Sequence, residues 1–181
     1  MGGINSIRYA ARHAERLAAL GIVDVAPEVM KSGIIEMEQF RRATETLDSF
    51  EAFLASAQAF MPHRAEAHLR YSLTHSLKRT PDGRYTWKQD HRPRPEQSAD
   101  AEPRWTALAE DLRAIRTPTL LLRGAESKIL AQDAAERATK SMHDARLVVV
   151  PRATHNVHSD NPADFASVLD AFLADVLPGA A

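Results

Sequence analysis

The run Pro118-Thr119-Leu120-Leu121-Leu122-Arg123 constrains this chain more than any other stretch. It is apolar without alternation, so a strand built from it has no face to show to water. Such a strand belongs inside a parallel sheet with helices on both faces. Two other short apolar runs fit the same sheet: Ile22-Val23-Asp24-Val25, ended by Pro27, and Arg146-Leu147-Val148-Val149-Val150. Helical spacing fills the segments between them. Ile4, Ile7, Ala11, Ala14 and Leu17 predict a helix over residues 3–20, broken at Gly21, and Trp105, Leu108, Leu112 and Ile115 predict a second. A helix over 131–142 follows, and a closing one carries Phe165, Val168, Leu169 and Phe172 on one face behind an Asn161-Pro162 start. Alternation of strand and helix predicts an α/β class with a three-stranded parallel sheet. The strand at 22–25 leaves one sheet edge uncovered.

Residues 28–103 differ in character. Met37, Phe40, Thr44 and Leu47 form one helical stripe, Phe50, Phe53, Leu54, Ala57 and Phe60 a second, and Leu69, Leu73, Ser76 and Leu77 a third. Asp48 followed by Glu51 reads as a capping box. Thr80-Pro81-Asp82-Gly83 is a turn, because proline presets φ and glycine accepts positive φ. Tyr85-Thr86-Trp87 reads as a brief extended piece, and 91–103, with Pro93, Pro95 and Pro103 among polar residues, as a linker.

Composition narrows the function classes. The 181 residues carry a net charge of −1 with no charge block, which favours neither nucleic acid nor an anionic membrane as a partner. The absence of cysteine excludes disulfides and thiolate chemistry. No apolar run approaches the roughly 18–20 residues that span a bilayer. No basic segment precedes an apolar stretch at the amino terminus, so no signal peptide is expected and the expected location is cytoplasmic. His155 and His158 stand at i, i+3 without a third ligand nearby, so no metal is expected. Arg92-Pro93-Arg94 reads as solvated, and no glycine-rich phosphate loop occurs.

Chemistry concentrates in three places. Arg123-Gly124-Ala125-Glu126-Ser127 follows the central strand, Val150-Pro151-Arg152-Ala153-Thr154-His155-Asn156 follows the last, and Met1-Gly2-Gly3 opens the first helix. Together they resemble the C-terminal portion of an α/β-hydrolase, with Met1-Gly2-Gly3 as the second half of a G-x-S-M-G-G nucleophile elbow. The resemblance implies a partial α/β-hydrolase fold: a three-stranded parallel sheet remnant, flanking helices and a helical cap insertion. The implied division is core over 1–27, cap over 28–103 and core over 104–181.

It also implies site residues. A serine one position before Met1 would attack a small ester- or lactone-type substrate, with the Met1 backbone N–H in the oxyanion hole. His155 would be the general base. Two positions compete for the acid. Many family members place it in a G-x-x-D turn after the strand at 119–123, where this chain has Ser127. Others carry it one strand earlier, where Asp24 stands; Asp24 is preferred and Glu126 is the runner-up. Gly2 and Gly3 would let the first helix pack closely. The segment 77–87 is similar to cap segments of small-molecule hydrolases, and Phe40, Phe53, Phe60, Met61 and Trp87 either line a pocket there or form plain core. His75 reads as solvent-facing or core. No cofactor is implied. Ser6, Ser127 and Ser159 are poor nucleophiles, since none lies between small residues on a strand-to-helix turn. The competing expectation is a catalytically inactive fragment or binding module, one that forms a homodimer through the exposed sheet edge.

Overall fold

The structure is a computed structural model that describes residues 2–89 and 101–177, with the side chains of 101–104 left aside. The chain divides into two units, one of Met1–Ser32 with Pro95–Ala181 and one of Gly33–Arg94.

The first unit is built on a parallel sheet of β1 (Leu20–Val23), β5 (Thr119–Gly124) and β6 (Ala145–Val150), in the order β1-β5-β6. The labels follow chain order, β2 to β4 belonging to the second unit. The register sets Ile22 beside Leu121 and Leu121 beside Leu147. All six positions of β5 are buried, as its unbroken apolar run requires. Successive residues point to opposite faces, and each face has its own core. Leu20, Ile22 and Leu121 join Ile4, Ile7 and Ala10 of α1 (Gly2–Arg12), Leu108 and Leu112 of α5 (Ala101–Ala114), and Ala134, Ala135 and Ala138 of α6 (Gln132–Ser141). Leu120, Leu122 and Val150 instead meet Val157 of α7 (Val157–Asp160) and Phe165, Leu169 and Phe172 of α8 (Pro162–Val176). The capping of α8 is the expected one: Asn161 Oδ1 accepts from Asp164 N at 3.3 Å, with Pro162 at the first helical position.

Three boundaries differ from the expected ones. The first helix stops at Arg12 rather than near residue 20; His13 leaves helical geometry at ψ 42° and a single 3-10 turn follows at Ala14–Arg16. The first strand lies two residues earlier than expected, so Asp24 falls just past its end. The expected linker lies largely outside the described residues, and its last positions belong to α5, where a proline in the first turn costs no helical hydrogen bond.

The second unit contains all but the first two residues of α2 (Lys31–Ala43), with α3 (Phe50–Phe60) and α4 (Glu66–Ser76), together with β2 (Thr46–Leu47), β3 (Leu77–Arg79) and β4 (Tyr85–Trp87). The expected insertion is helical; the structure adds an antiparallel sheet in the order β2-β4-β3. Its hairpin turns at Gly83, whose φ of 86° supplies the left-handed geometry, with Gly83 N donating to Thr80 O at 2.9 Å. The cap of α3 is Ser49, whose hydroxyl accepts from Ala52 N at 3.1 Å, in place of the Asp48–Glu51 box; Glu51 pairs with Arg70 instead. Phe53, Leu54, Ala57, Leu69, Leu73 and Leu77 form this unit's core, with Met61 and Trp87 packed against it. Phe53 and Trp87 are therefore core residues, while Phe60 is exposed and stacked on Phe40 at 4.3 Å. His75 is exposed against the Tyr71 ring.

Candidate active site

Parallel strands present residues at their carboxyl ends, and the first unit gathers its polar groups there. Asp24 follows β1 with a positive φ of 51°, a conformation that aspartate tolerates better than most residues. Its backbone N–H still donates to Leu122 O at 2.7 Å, which ties it to the neighbouring strand. The side chain is fully buried. A buried carboxylate is costly unless hydrogen bonds replace water, and Asp24 has three. Oδ1 accepts from Gly124 N at 3.1 Å, and Oδ2 accepts from Ser127 Oγ at 2.6 Å and from His155 Nδ1 at 2.9 Å.

That count fixes the tautomer of His155. A carboxylate only accepts, so Nδ1 carries the hydrogen, and in the neutral ring the lone pair is then on Nε2. Among the described residues Nε2 has no hydrogen-bond partner, and the side chain is 40% exposed. The ring is thus anchored at one nitrogen and open at the other, the geometry that a general base requires.

The loop after β6 is held independently. Arg152 takes a left-handed φ of 51°, and Thr154 gives both its N–H, at 2.9 Å, and its hydroxyl to Asp160 Oδ2 in α7. Asn161 Nδ2 donates to Pro151 O at 2.9 Å. The loops after β5 and β6 are tied by Glu126 N donating to Ala153 O at 2.9 Å, and Gly124 lies directly against Thr154. We predict that Asp160→Ala lowers stability by about 2 kcal/mol, because two donors on Thr154 lose one charged acceptor; urea denaturation measures this.

The sequence candidates separate clearly. His155 and Asp24 are brought together. The Glu126 side chain is exposed, and the carboxylate bonded to His155 is Asp24. Met1 lies outside the described residues. Gly3 is the small residue that packing demands, since a Cβ there would lie 2.2 Å from Val25 Cγ1, whereas Gly2 has open space. His158 meets the edge of Phe165 at 6.0 Å rather than pairing with His155. Among the described residues no group of three or more His, Asp or Glu side chains could hold a metal ion, and no helix is long and apolar enough to cross a membrane. The residue missed as a site component is Ser127. Its one signal is its place three residues after Gly124, in the turn where a carboxylate was expected.

Comparison with known proteins supports this architecture. The chain is 28% identical to esterase Rv0045c of Mycobacterium tuberculosis over 96% of its length, and it spans 58% of the length of that relative. A crystal structure of that esterase superposes with a TM-score of 0.72 at 25% identity, covering 94% of this chain and 57% of the other. An α/β-hydrolase from Novosphingobium aromaticivorans shares the fold with a TM-score of 0.65 at 24% identity, covering 94% of this chain and 61% of its own. Residues 1–168 match the family model described as the alpha/beta hydrolase family. With the parallel sheet and its carboxyl-end site in place, the chain belongs to the α/β-hydrolase family.

Proposed function

We propose that this chain supplies the base and the acid of an acyl-transfer site that hydrolyses a small ester- or lactone-type substrate by Ser-His-Asp chemistry. The observation that carries this reading is the His155 Nδ1–Asp24 Oδ2 hydrogen bond of 2.9 Å beyond the carboxyl ends of β1 and β6. The attacking serine belongs one position before Met1, in upstream sequence that this chain does not contain. Its expected place is consistent with the contact between Gly3 and Val25, which sets the amino end of α1 beside the residue that follows Asp24. The esterase among the relatives supports an ester as the substrate class.

In this mechanism Nε2 of His155 takes the serine proton as Oγ attacks the acyl carbon. Asp24 holds the imidazolium, and the Met1 N–H donates to the oxyanion. His155 then passes that proton to the leaving alkoxide, and the acyl-enzyme remains. Water attacks next, losing its proton to Nε2, and the acid departs as serine is restored. Residues 28–103 serve as the cap that selects the substrate, and 1–27 with 104–181 as the core.

The test uses a polypeptide that joins this chain to its upstream sequence. It is expected to hydrolyse p-nitrophenyl acetate and butyrate and to take a fluorophosphonate label on the serine preceding Met1. A folded polypeptide that does neither overturns the reading. One observation favours the alternative of a binding or dimerising module: among the described residues β1 has a strand neighbour on one side only. Silence toward esters combined with a stable dimer in sedimentation selects that alternative.

A further inference from the structure

We infer that Ser127 is the positioning residue of the acid–base pair, its hydroxyl holding the Asp24 carboxylate so that Oδ2 faces His155 Nδ1. This rests on the reading of Asp24 and His155 as acid and base and extends it to a residue that does not touch the substrate.

The argument is a count of hydrogens and lone pairs. A serine hydroxyl has one hydrogen and two lone pairs. Ser127 Oγ accepts from Ile129 N and from Leu130 N, each at 3.1 Å, which occupies both lone pairs. Its hydrogen is therefore committed to Asp24 Oδ2 at 2.6 Å. Most serine hydroxyls turn to suit their surroundings, but this one has a single direction. It is also no nucleophile, because no lone pair remains for attack.

The loop that carries it is pinned as well. Ser127 N donates to Gly124 O at 3.0 Å, while the buried Arg123 donates from Nε to Leu130 O at 2.8 Å and from Nη1 to Ala125 O at 3.3 Å. Gly124 N, at the start of the same loop, grips Oδ1 at 3.1 Å. The carboxylate is thus held at both oxygens by donors fixed in one loop. The last torsion of an aspartate is broad and soft; with both oxygens gripped it has one setting, in which Oδ2 still accepts from His155.

The test compares Ser127→Ala, Ser127→Thr and Asp24→Asn in the polypeptide with its upstream sequence. Ser127→Ala is expected to lower kcat by about 10- to 100-fold with KM within about twofold, because loosened geometry weakens the transition state rather than substrate binding. Ser127→Thr restores the hydroxyl and recovers at least about tenfold of that loss. In the 181-residue chain itself, the downfield proton resonance of His155 Nδ1–H is expected in the unmodified protein and in Ser127→Thr, and lost to exchange in Ser127→Ala. An inactive Asp24→Asn beside a Ser127→Ala variant of unchanged kcat and retained resonance overturns the role of Ser127 and leaves the catalytic reading standing. Full activity in Asp24→Asn overturns the catalytic reading, and the role of Ser127 with it. Should Ser127→Ala fail to fold, a folded Ser127→Thr that has lost both kcat and resonance overturns the inference.

Discussion

In the polypeptide that includes the upstream sequence, His155→Ala is expected to lower kcat for a short-chain ester by about 10⁵- to 10⁶-fold, and Asp24→Asn by about 10⁴-fold. The first variant removes the nitrogen that takes the serine proton in the proposed mechanism. The second is the sharper probe. Asn tolerates the left-handed backbone at position 24 at least as well as Asp, so the variant is expected to retain the fold. Its amide, however, cannot satisfy the site in either orientation. With the amide nitrogen in the place of Oδ2, it faces the Ser127 hydrogen and the His155 Nδ1–H, two donors. With the amide flipped, it faces the Gly124 N–H instead. The first orientation leaves two donors without an acceptor and the second leaves one, at a cost of about 1–3 kcal/mol for each donor that is buried. The imidazole relieves part of this by moving its hydrogen to Nε2, and a ring protonated there cannot act as base. Steady-state kinetics and a thermal melt on the same sample measure both effects. A variant of Asp24 with undiminished kcat would contradict the assignment.

The resemblance of His155 and Asp24 to a base and an acid was legible for different reasons. His155 follows an apolar strand that has to be buried, and such strands deliver their next loop to one edge of the sheet. Asp24 is an acid at the end of a strand with little else that is polar, so it required partners wherever the sheet placed it. The central strand was the most legible element because each of its residues is buried in the final structure. The ends were harder. The first helix keeps apolar spacing past Arg12, yet its apolar contacts with α5 and the sheet are made by Ile4, Ile7 and Ala10, and beyond them the chain turns. Of the small antiparallel sheet only Tyr85–Trp87 and its turn were legible; β2 and β3, of two and three residues, are too short to display a period. Ser127 was hidden for another reason. Its partners are two backbone N–H groups and a carboxylate 103 positions away, and none of these leaves a trace in side-chain spacing.

Gly124→Ala shows how tightly the same edge is built. The position needs no positive φ, so conformational freedom is not what glycine contributes there. It contributes space. A Cβ at residue 124 would lie 2.1 Å from Thr154 O, 2.5 Å from Ala153 O and 2.8 Å from Thr154 C. All three are backbone atoms, and none can swing aside as a long side chain would. Ala153 O already accepts from Glu126 N, and Thr154 is clamped to Asp160, so moving that segment breaks bonds at both ends. Separating the loops instead pulls Gly124 N from Asp24 Oδ1 and leaves buried polar groups unpaired. The methyl group is expected to cost about 3–5 kcal/mol, the range of overpacking joined to a broken polar network. That is a large part of the 5–15 kcal/mol that holds a typical domain folded. Chemical denaturation of the 181-residue chain measures it. Gly2→Ala has open space around its Cβ and serves as the control, with a change within about 0.5 kcal/mol. An equal response at the two glycines would show that the loops after β5 and β6 are free to separate, and that the close approach of Gly124 to Thr154 contributes nothing to holding His155 against Asp24.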